Sequence, residues 1–277
     1  MLRRTFCHLP GVGPHTETRL WEAGISTWDD LPKAPVGVMP PAKLERLRAG
    51  IAASEAQLAR GEVHPFVQGL ASQHHWRVFP TLRSAVAYLD IETTGLGSPG
   101  DIITTIAVYD GQQVLHFVND QNLNEFPKVI EKYEMLVTYN GKCFDVPFIE
   151  RFFDIRLEQV HLDLRYILRQ LGLGGGLKGC EKALGMDRHD VAGLDGFHAV
   201  LLWHEWAKHG WQRSLDTLLA YNVADTINLE ALMVYAYNHL LCETPFAAVE
   251  TVPNGVAPDN PFQADPATVA RLLSSAW

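Results

Sequence analysis

The chain has 277 residues, of which 47% are apolar, and a formal net charge of −9. This composition excludes an intrinsically disordered polypeptide, because it supplies enough apolar surface for a hydrophobic core. At about 150 residues per domain, the length allows one large domain with a smaller one, or two domains. The N-terminal stretch MLRRTFCHLPGVG lacks the apolar segment of a secretory signal. No run of about 18 uncharged apolar residues predicts a membrane span, so we expect a cytoplasmic protein.

The charges are unevenly distributed along the chain. Residues 1–60 contain eight basic and six acidic residues, whereas the remaining chain contains 15 basic and 26 acidic residues. An acidic balance disfavours a nucleic-acid partner, because phosphate binding is driven by lysine and arginine side chains that release counterions. Composition alone therefore argues against a nucleic-acid-binding protein, although the two signs are partly segregated.

Residues 1–60 predict a small all-α domain. A Gly-x-Gly turn at Gly11 and Gly13 precedes a helical segment, and the amphipathic stretches ISTWDDLPKAP and AKLERLRAGIAASEAQLAR follow it. The turn and its surroundings resemble the helix-hairpin-helix motif of many DNA-repair and recombination proteins. In such a hairpin, N–H groups beside a helix N-terminus bind phosphate without reading sequence, so we expect contacts from Gly11, Gly13 and Thr16. Glu17 does not favour an anion, and a structural or protein-contacting use is the alternative.

Residues 61–84 carry two prolines and no clear periodicity, which predicts a connector laid over the next domain. Strand-like segments begin at Ala85 with AVAYLDIETT. The following stretch, DIITTIAVYDGQQVLHFVND, predicts two strands joined by a tight turn at Asp110-Gly111. The second domain therefore starts with strands.

Helices and strands alternate after this hairpin. NEFPKVIEKYEM predicts a helix, LVTYN a strand, VPFIERFFDIR a helix and VHLDLRYILRQLG a strand followed by a helix; long helical segments then extend to about residue 242. This order predicts an α/β domain with a mixed sheet over residues 85–243. GLGGGLKG lacks the spacing of a phosphate-binding loop and is interpreted as a helix-terminating loop. Residues 244–277 predict a proline-rich tail that ends in a short helix, PATVARLLSSAW.

Two acids lie two residues apart on the first predicted strand of this domain. In YLDIETTG, the period of a strand places Asp90 and Glu92 on the same face, about 7 Å apart along the chain. Two unpaired carboxylates on a buried strand repel each other and are driven to protonate unless a cation lies between them. An oxygen-rich site of this kind suits Mg²⁺ or Mn²⁺ rather than zinc.

Two further segments contribute acids. In TYNGKCFDVPFI, Asp145 precedes a proline near the start of a predicted helix, which predicts an N-cap position and leaves a purely capping role open. In LAYNVADTINL, Tyr221 and Asp225 are four residues apart and share one helical face. Taken singly, a tyrosine and an aspartate on a helix are ordinary.

Together these three segments resemble the RNase H-like superfamily of metal-dependent 3′–5′ exonucleases, whose site contains four acids in the order Asp-Glu-Asp-Asp. LDIETTG is similar to the first exonuclease motif, TYNGKCFDVPFI to the second and YNVAD to the third. The second is close to the motif of B-family DNA polymerase proofreading domains. Within the superfamily, residues 85–242 look most like the bacterial YprB-like family. The resemblance implies an RNase H-like mixed β-sheet flanked by helices, preceded by the small all-α helix-hairpin-helix domain.

The resemblance also implies roles for individual residues. It makes Asp90, Glu92, Asp145 and Asp225 the ligands of two Mg²⁺ or Mn²⁺ ions about 4 Å apart, which activate water and stabilise the leaving 3′ oxygen. Tyr221 orients the attacking water, and a tyrosine of ordinary pKa is a poor general base. The positive ions give an acidic chain a locally positive centre for a phosphodiester.

Neighbouring residues extend this expected site. The loop that follows Glu92 resembles the loop that holds the terminal nucleotide in relatives, and it contains Thr93, Thr94, Gly95 and Leu96. Asn140 and Lys142 are expected to reach a substrate phosphate or base, although turns favour asparagine for backbone reasons as well. Asp163 either faces the site or only caps a turn or helix.

The favoured hypothesis is therefore a metal-dependent 3′–5′ exonuclease that acts on the 3′ ends of single-stranded nucleic acid, with DNA favoured, because one strand end must reach the metals. One alternative is a non-catalytic nucleic-acid or protein adaptor. The other is an RNase H-like endonuclease that acts on RNA in hybrids or on branched DNA. The choice between DNA and RNA stays open, since recognition of the 2′-OH depends on details that motif spacing does not encode. The oligomeric state stays open as well.

Overall fold

A computed structural model describes residues 1–274, which form two compact units. The first unit combines Met1–Arg83 with Tyr237–Val252, and the second combines Ser84–Ala236 with the residues from Pro253 onward. Within the described residues, no helix has both the length and the apolarity that crossing a lipid bilayer requires.

The first unit is helical. Its helices are α1 (Pro14–Glu22), α2 (Pro41–Ala59), α3 (His64–Gly69) and α4 (Phe79–Leu82), with 3₁₀ helices at Leu2–Arg4, Trp28–Lys33 and Ser72–Val78. The rings of Trp28 and Phe66 stack in its core with centroids 5.9 Å apart, and Phe79 is fully buried as well. Residues 61–84, predicted to be a connector, are therefore mostly helical, because Phe66 and Phe79 are core residues of this unit.

Helix α1 follows the Gly-x-Gly turn. Gly11 adopts a φ of +77°, which favours glycine, and Gly13 is the residue before the first turn of the helix. Glu17 points into the interior, where it accepts hydrogen bonds from the Phe6 N–H (2.6 Å) and from Arg77 (2.7 Å). Its charge is thus neutralised inside the unit rather than presented at the turn.

The second unit contains a five-stranded sheet in the order β3-β2-β1-β4-β5. Its strands are β1 (Val86–Thr93), β2 (Ile103–Tyr109), β3 (Val114–Val118), β4 (Met135–Thr138) and β5 (Val160–Asp163). β1 pairs with β2 in antiparallel and with β4 in parallel orientation, β2 and β3 are antiparallel, and β4 and β5 are parallel. The predicted turn between β2 and β3 contains Gly111 at a φ of +89°.

Helices flank this sheet. The remaining α-helices among the described residues are α5 (Phe126–Ile130), α6 (Asp145–Phe153), α7 (Leu164–Gln170), α8 (Gly176–Ala183), α9 (Gly196–His209), α10 (Gln212–Leu241), α11 (Ala247–Glu250) and α12 (Pro266–Ser274). The last turn of α10 and all of α11 belong to the first unit. The predicted terminal helix is thus present as α12, and the final three residues of that prediction lie outside the described residues.

The central strand β1 has two different faces. Ala87, Leu89 and Ile91 belong to an apolar core that also contains residues of α5 and α6. The alternate residues, which include Asp90 and Glu92, point to the opposite face because side chains alternate along a strand. The predicted α/β class, with a mixed sheet flanked by helices and a helical region before it, is confirmed.

Candidate metal centre

Three acids converge where β1 faces α10. Asp90 and Glu92 come from β1 and Asp225 from α10, and each contributes one carboxylate oxygen to a group whose members all lie within 4.8 Å of one another. The strand places the first two on one face, as the spacing predicts. Asp225 joins them although it is far away in the sequence, because α10 packs against that face.

Asp145 lies beside this group but is held differently. It is the first residue of α6, and the N-cap position that the sequence predicts for it is occupied by Phe144. One of its carboxylate oxygens accepts a hydrogen bond from the backbone N–H of Ile91 at 3.3 Å, so the side chain is tied to β1 rather than capping its own helix. Asp145 lines the same cavity as the other three acids.

Asn222 orients Asp90. Its side-chain amide donates a hydrogen bond to Asp90 Oδ2 at 2.7 Å, and its carbonyl oxygen accepts one from the Thr105 hydroxyl at 3.0 Å. Because an ionised carboxylate only accepts hydrogen bonds, the amide NH2 faces Asp90 and the amide oxygen faces the Thr105 hydroxyl. The sequence interpretation did not identify Asn222, although its position between Tyr221 and Asp225 places it on the same side of the helix as the acid.

Burial and mutual repulsion shape the electrostatics of the acids. Burial raises the pKa of Asp90 well above its ordinary value, and the charges of Asp225, Asp145 and Glu92 raise it further. Burial, followed by the Asp225 charge, also raises the pKa of Glu92 well above its ordinary value. Burial raises the pKa of Asp145 to about 7. In the absence of a cation, these groups therefore retain protons to a higher pH than isolated carboxylic acids do.

Asp225 has a cationic partner that the sequence interpretation missed. Arg188 donates from Nη2 to Asp225 Oδ1 and from Nη1 to Glu181 Oε2, the latter at 2.5 Å. Asn228 donates to the other oxygen of Glu181 at 2.8 Å. Burial raises the pKa of Asp225, while the adjacent guanidinium of Arg188 acts in the opposite direction.

Tyr221 lies among the charged groups of the site. The ammonium nitrogen of Lys178 is 4.8 Å from the centre of its ring, and the guanidinium carbon of Arg188 is 5.5 Å from it. Burial, followed by the charges of Asp225 and Glu92, raises the pKa of the Tyr221 phenol. The phenol is therefore protonated at neutral pH and suits a hydrogen-bond donor rather than a base.

Asp163 organises the turn that carries Asn140 and Lys142. Its carboxylate accepts hydrogen bonds from the backbone N–H groups of Asn140 (2.8 Å) and Lys142 (3.0 Å), and from that of Arg165 at the start of α7 (3.0 Å). Asp163 therefore caps a helix and fixes a turn, in agreement with the capping interpretation, and it is not a member of the three-acid group.

The loop after Glu92 is braced internally. The Thr93 hydroxyl donates to the carbonyl oxygen of Gly95 at 2.6 Å, and the Thr94 hydroxyl accepts from the backbone N–H of Ile102 at 3.0 Å. A Cβ on Gly95 would approach the Asp101 carboxylate to 2.6 Å, so a larger residue there would have to displace that carboxylate. Leu96 is 92% exposed, which makes it the member of this predicted nucleotide loop whose side chain is open to solvent.

The acids line a cavity of about 850 Å³. Asn140 is also in its lining, as are two residues that the sequence interpretation missed, Arg165 and Arg169 of α7. Arg165 donates to the side-chain oxygen of Asn140 at 2.5 Å. Lys142 is exposed and is not among the lining residues. A basic pair four residues apart, directly after a strand that ends in Asp163, is the signal that the sequence offered for these arginines.

The glycine-rich segment GLGGGLKG follows α7 and runs into the first turn of α8. Its residues Gly172–Leu177 line the same cavity, and Gly172, Gly175 and Gly176 all have positive φ values. The segment therefore ends one helix, as the sequence interpretation holds, and also forms a wall of the site. The predicted phosphate contacts Gly11, Gly13 and Thr16 belong to the first unit.

The donor set fits a hard divalent cation. Mg²⁺ and Mn²⁺ prefer oxygen ligands, and three convergent carboxylate oxygens with a fourth acid in the same cavity supply them. The raised pKa values of these acids also favour a bound cation. Part of the rise comes from repulsion between the carboxylates, which a bound cation would remove.

Comparison with known proteins finds a matching family model and matching solved structures. The family model described as RNase_H superfamily matches residues 87–237, which is more than half of the chain. A solved structure of the family B DNA polymerase from the hyperthermophilic archaeon Pyrobaculum calidifontis matches 61% of this chain, with 18% identity and a TM-score of 0.44. The match covers 27% of the polymerase chain. A comparison with curated proteins finds no match.

Proposed function

This chain belongs to the RNase_H superfamily, and we propose that it is a nuclease that hydrolyses phosphodiester bonds with the help of Mg²⁺ or Mn²⁺. The observation that carries the proposal is the convergence of Asp90, Glu92 and Asp225 within 4.8 Å, on the face of β1 that the cavity exposes. We further propose a 3′–5′ exonuclease acting on single-stranded nucleic acid, with DNA favoured, because one strand end must reach these acids inside a cavity.

The proposed ligands of two divalent ions are Asp90, Glu92, Asp145 and Asp225. When bound, the ions supply a water nucleophile at neutral pH and neutralise charge on the leaving 3′ oxygen. Asn222 holds one oxygen of Asp90 and so presents the other. The protonated phenol of Tyr221 orients the attacking water by donating or accepting a hydrogen bond.

Substrate contacts are proposed for the cationic wall of the cavity. Arg165 and Arg169 lie in the lining that also contains the acids, and planar guanidinium groups match phosphate oxygens. Asn140 accepts a hydrogen bond from Arg165 and is proposed to contact the same nucleic-acid strand as the two arginines. The loop of Thr93, Thr94, Gly95 and Leu96 is proposed to hold the terminal nucleotide, with the exposed Leu96 against a base.

The first unit is proposed to contact nucleic acid through its Gly-x-Gly turn. Gly11 and Gly13 precede helix α1, whose N-terminal N–H groups carry a partial positive charge. Since Glu17 is neutralised by Arg77, it does not oppose a phosphate bound by these glycines and Thr16. Contacts of this kind position a strand without selecting its sequence.

The test is digestion of a single-stranded oligonucleotide labelled at its 5′ end, with Mg²⁺, Mn²⁺ or EDTA. We expect metal-dependent shortening from the 3′ end, and Asp90→Asn is expected to lower the rate by more than about 100-fold. Asp154→Asn is the matched control. Asp154 is an exposed acid, and asparagine tolerates the left-handed backbone conformation at this position.

The products distinguish the proposal from its alternatives. Internal fragments would identify an endonuclease, and binding without any product would identify an adaptor. Cutting that persists in EDTA, or that is unchanged in Asp90→Asn, would rule out these acids as the site. A parallel digestion of RNA of the same sequence decides between DNA and RNA.

A further inference from the structure

We propose that Arg188 is a positioning residue of the metal centre. Its guanidinium pairs with Asp225 when no divalent ion is bound, and it moves towards Glu181 when a divalent ion binds. This inference rests on the proposed metal-dependent function and adds a residue to it. Arg188 is 37 positions from Asp225 in the sequence and lies in none of the three acid-bearing segments.

The first observation is the pair of carboxylates that Arg188 bridges. One terminal nitrogen contacts Asp225, and the other contacts Glu181 at 2.5 Å. All three side chains are at least 90% buried. A guanidinium between two buried carboxylates has two places where its charge is compensated, so it can leave one without losing all compensation.

The second observation is an unsatisfied donor. The Nε of Arg188 is buried and has no hydrogen-bond partner among the described residues. Arginine forms its strongest pairs when two donors meet two oxygens of one carboxylate, and in this structure it gives a single donor to each acid. A shift towards Glu181 would bring a second donor to that carboxylate while it releases Asp225.

The third observation concerns the acid that is occupied. Asp225 is one of the three acids whose oxygens converge within 4.8 Å, and Glu181 is not. A divalent ion bound by these three acids would contact Asp225, which the positively charged guanidinium of Arg188 also contacts. Two positive charges on one buried carboxylate repel each other strongly. The ion and the guanidinium therefore compete for Asp225, and the position of Arg188 sets how readily the ion binds.

Glu181 is held in place for this exchange. Its second oxygen accepts a hydrogen bond from Asn228 at 2.8 Å, one turn beyond Asp225 on α10. The carboxylate that receives Arg188 is thus fixed to the same helix that carries the ligand. The proposed exchange moves one side chain between two carboxylates that it already contacts.

Two substitutions should change metal affinity in opposite directions. Arg188→Met removes the competing charge and keeps the length of the side chain, so the Kd for Mn²⁺ should fall by about tenfold. Glu181→Gln removes the negative charge that draws the guanidinium away from Asp225, so the Kd should rise by about tenfold. The measurement is calorimetric titration of the full chain with Mn²⁺ alone, after circular dichroism has shown that each variant is folded.

Arg156→Met is the matched control, because Arg156 is 80% exposed and pairs with Glu150 at the surface; its Kd should equal that of the unchanged protein. If Arg188 is only a structural tie, both site variants would bind Mn²⁺ more weakly or equally, and the inference would be overturned. If Arg188→Met does not fold, an unchanged or lower Kd in Glu181→Gln overturns it as well. Failure of the unchanged protein to bind Mn²⁺ would remove the proposed function together with this inference.

Discussion

At the scale of single residues, each acid of the site meets a different neighbour. An amide donates to Asp90, a backbone N–H to Asp145 and a guanidinium to Asp225. Burial is the largest cause of the raised pKa at all three acids, and at Asp225 the adjacent guanidinium opposes it. A divalent ion is the partner proposed for Asp90 and Asp145.

Asp145 gives a prediction about pH. Its pKa rises from 3.8 to about 7 in the folded protein, so its protonated form favours folding below about pH 4 and this contribution is lost as the pH rises through 7. Asp145→Asn cannot ionise, and in EDTA at pH 8 it should therefore be about 2–4 kcal/mol more stable than the unchanged protein.

Urea unfolding at pH 4 and pH 8 measures the effect, and the two proteins should be similar at pH 4. Added Mn²⁺ should stabilise the unchanged protein at pH 8 more than the variant, because the variant lacks one ligand charge. Equal stability of the two proteins at pH 8 in EDTA would contradict the assigned burial of this carboxylate.

At the scale of secondary-structure elements, the end of β5 controls the turn between β4 and α6. Asp163 accepts three backbone hydrogen bonds, two from that turn and one from the first turn of α7. Asn140, in the same turn, has a φ of +67°, a left-handed conformation that asparagine tolerates better than most residues. The turn that leads to Asp145 is therefore anchored by an acid that is not among the proposed metal ligands.

Asp163→Asn tests this anchor. The substitution replaces one carboxylate oxygen with an NH2 group, which does not accept hydrogen bonds from N–H groups. This NH2 group faces either the Lys142 N–H or the N–H groups of Asn140 and Arg165, so at least one of these backbone N–H groups loses its acceptor. The expected loss of stability is about 1–3 kcal/mol, measured by urea unfolding. Asp120→Asn, at an exposed left-handed position, should change stability by less than about 0.5 kcal/mol, and an equal loss in both variants would argue against the anchor.

At the scale of the whole molecule, the two units carry different charges and different parts of the proposed function. Phe6, Leu20 and Trp28 are core residues of the first unit, so deleting residues 1–60 would destroy that unit rather than isolate its contribution. A cavity of about 700 Å³ in this unit has Gly11, Lys43 and Arg46 in its lining. Surface substitutions at this cavity are the informative experiment.

The double variant Lys43→Ala, Arg46→Ala should weaken binding of a single-stranded 40-mer and leave cleavage of a very short oligonucleotide unchanged. Each lost phosphate contact should reduce the slope of log affinity against log salt by about 0.7, or about 1.4 for both. Fluorescence anisotropy between low and moderate salt measures this slope. Arg48→Ala, an exposed arginine outside that lining, is the control; identical slopes for all three proteins would exclude the first unit from substrate binding.

The elements of the second unit were largely predictable because their signals are local. The strand-like segments AVAYLDIETT and DIITTIAVYDGQQVLHFVND predicted β1, β2 and β3, and Asp110-Gly111 predicted the turn between the last two. The helical content of residues 61–84 was missed, since short helices that rest on a few buried aromatic residues such as Phe66 and Phe79 leave no periodic pattern.

The sequence by itself determined that Asp90 and Glu92 share a face, because side chains alternate along any strand, and that the domain is α/β, because the order of strands and helices is local. The motif resemblance implied that Asp225 joins these two acids, and the tertiary structure shows how closely the three converge. Only the tertiary structure decided that Asn222 holds Asp90 across 132 positions and that Arg188 pairs with Asp225 across 37. The physical reason is that such contacts depend on which faces of distant elements pack together, and no local spacing along the chain encodes that packing.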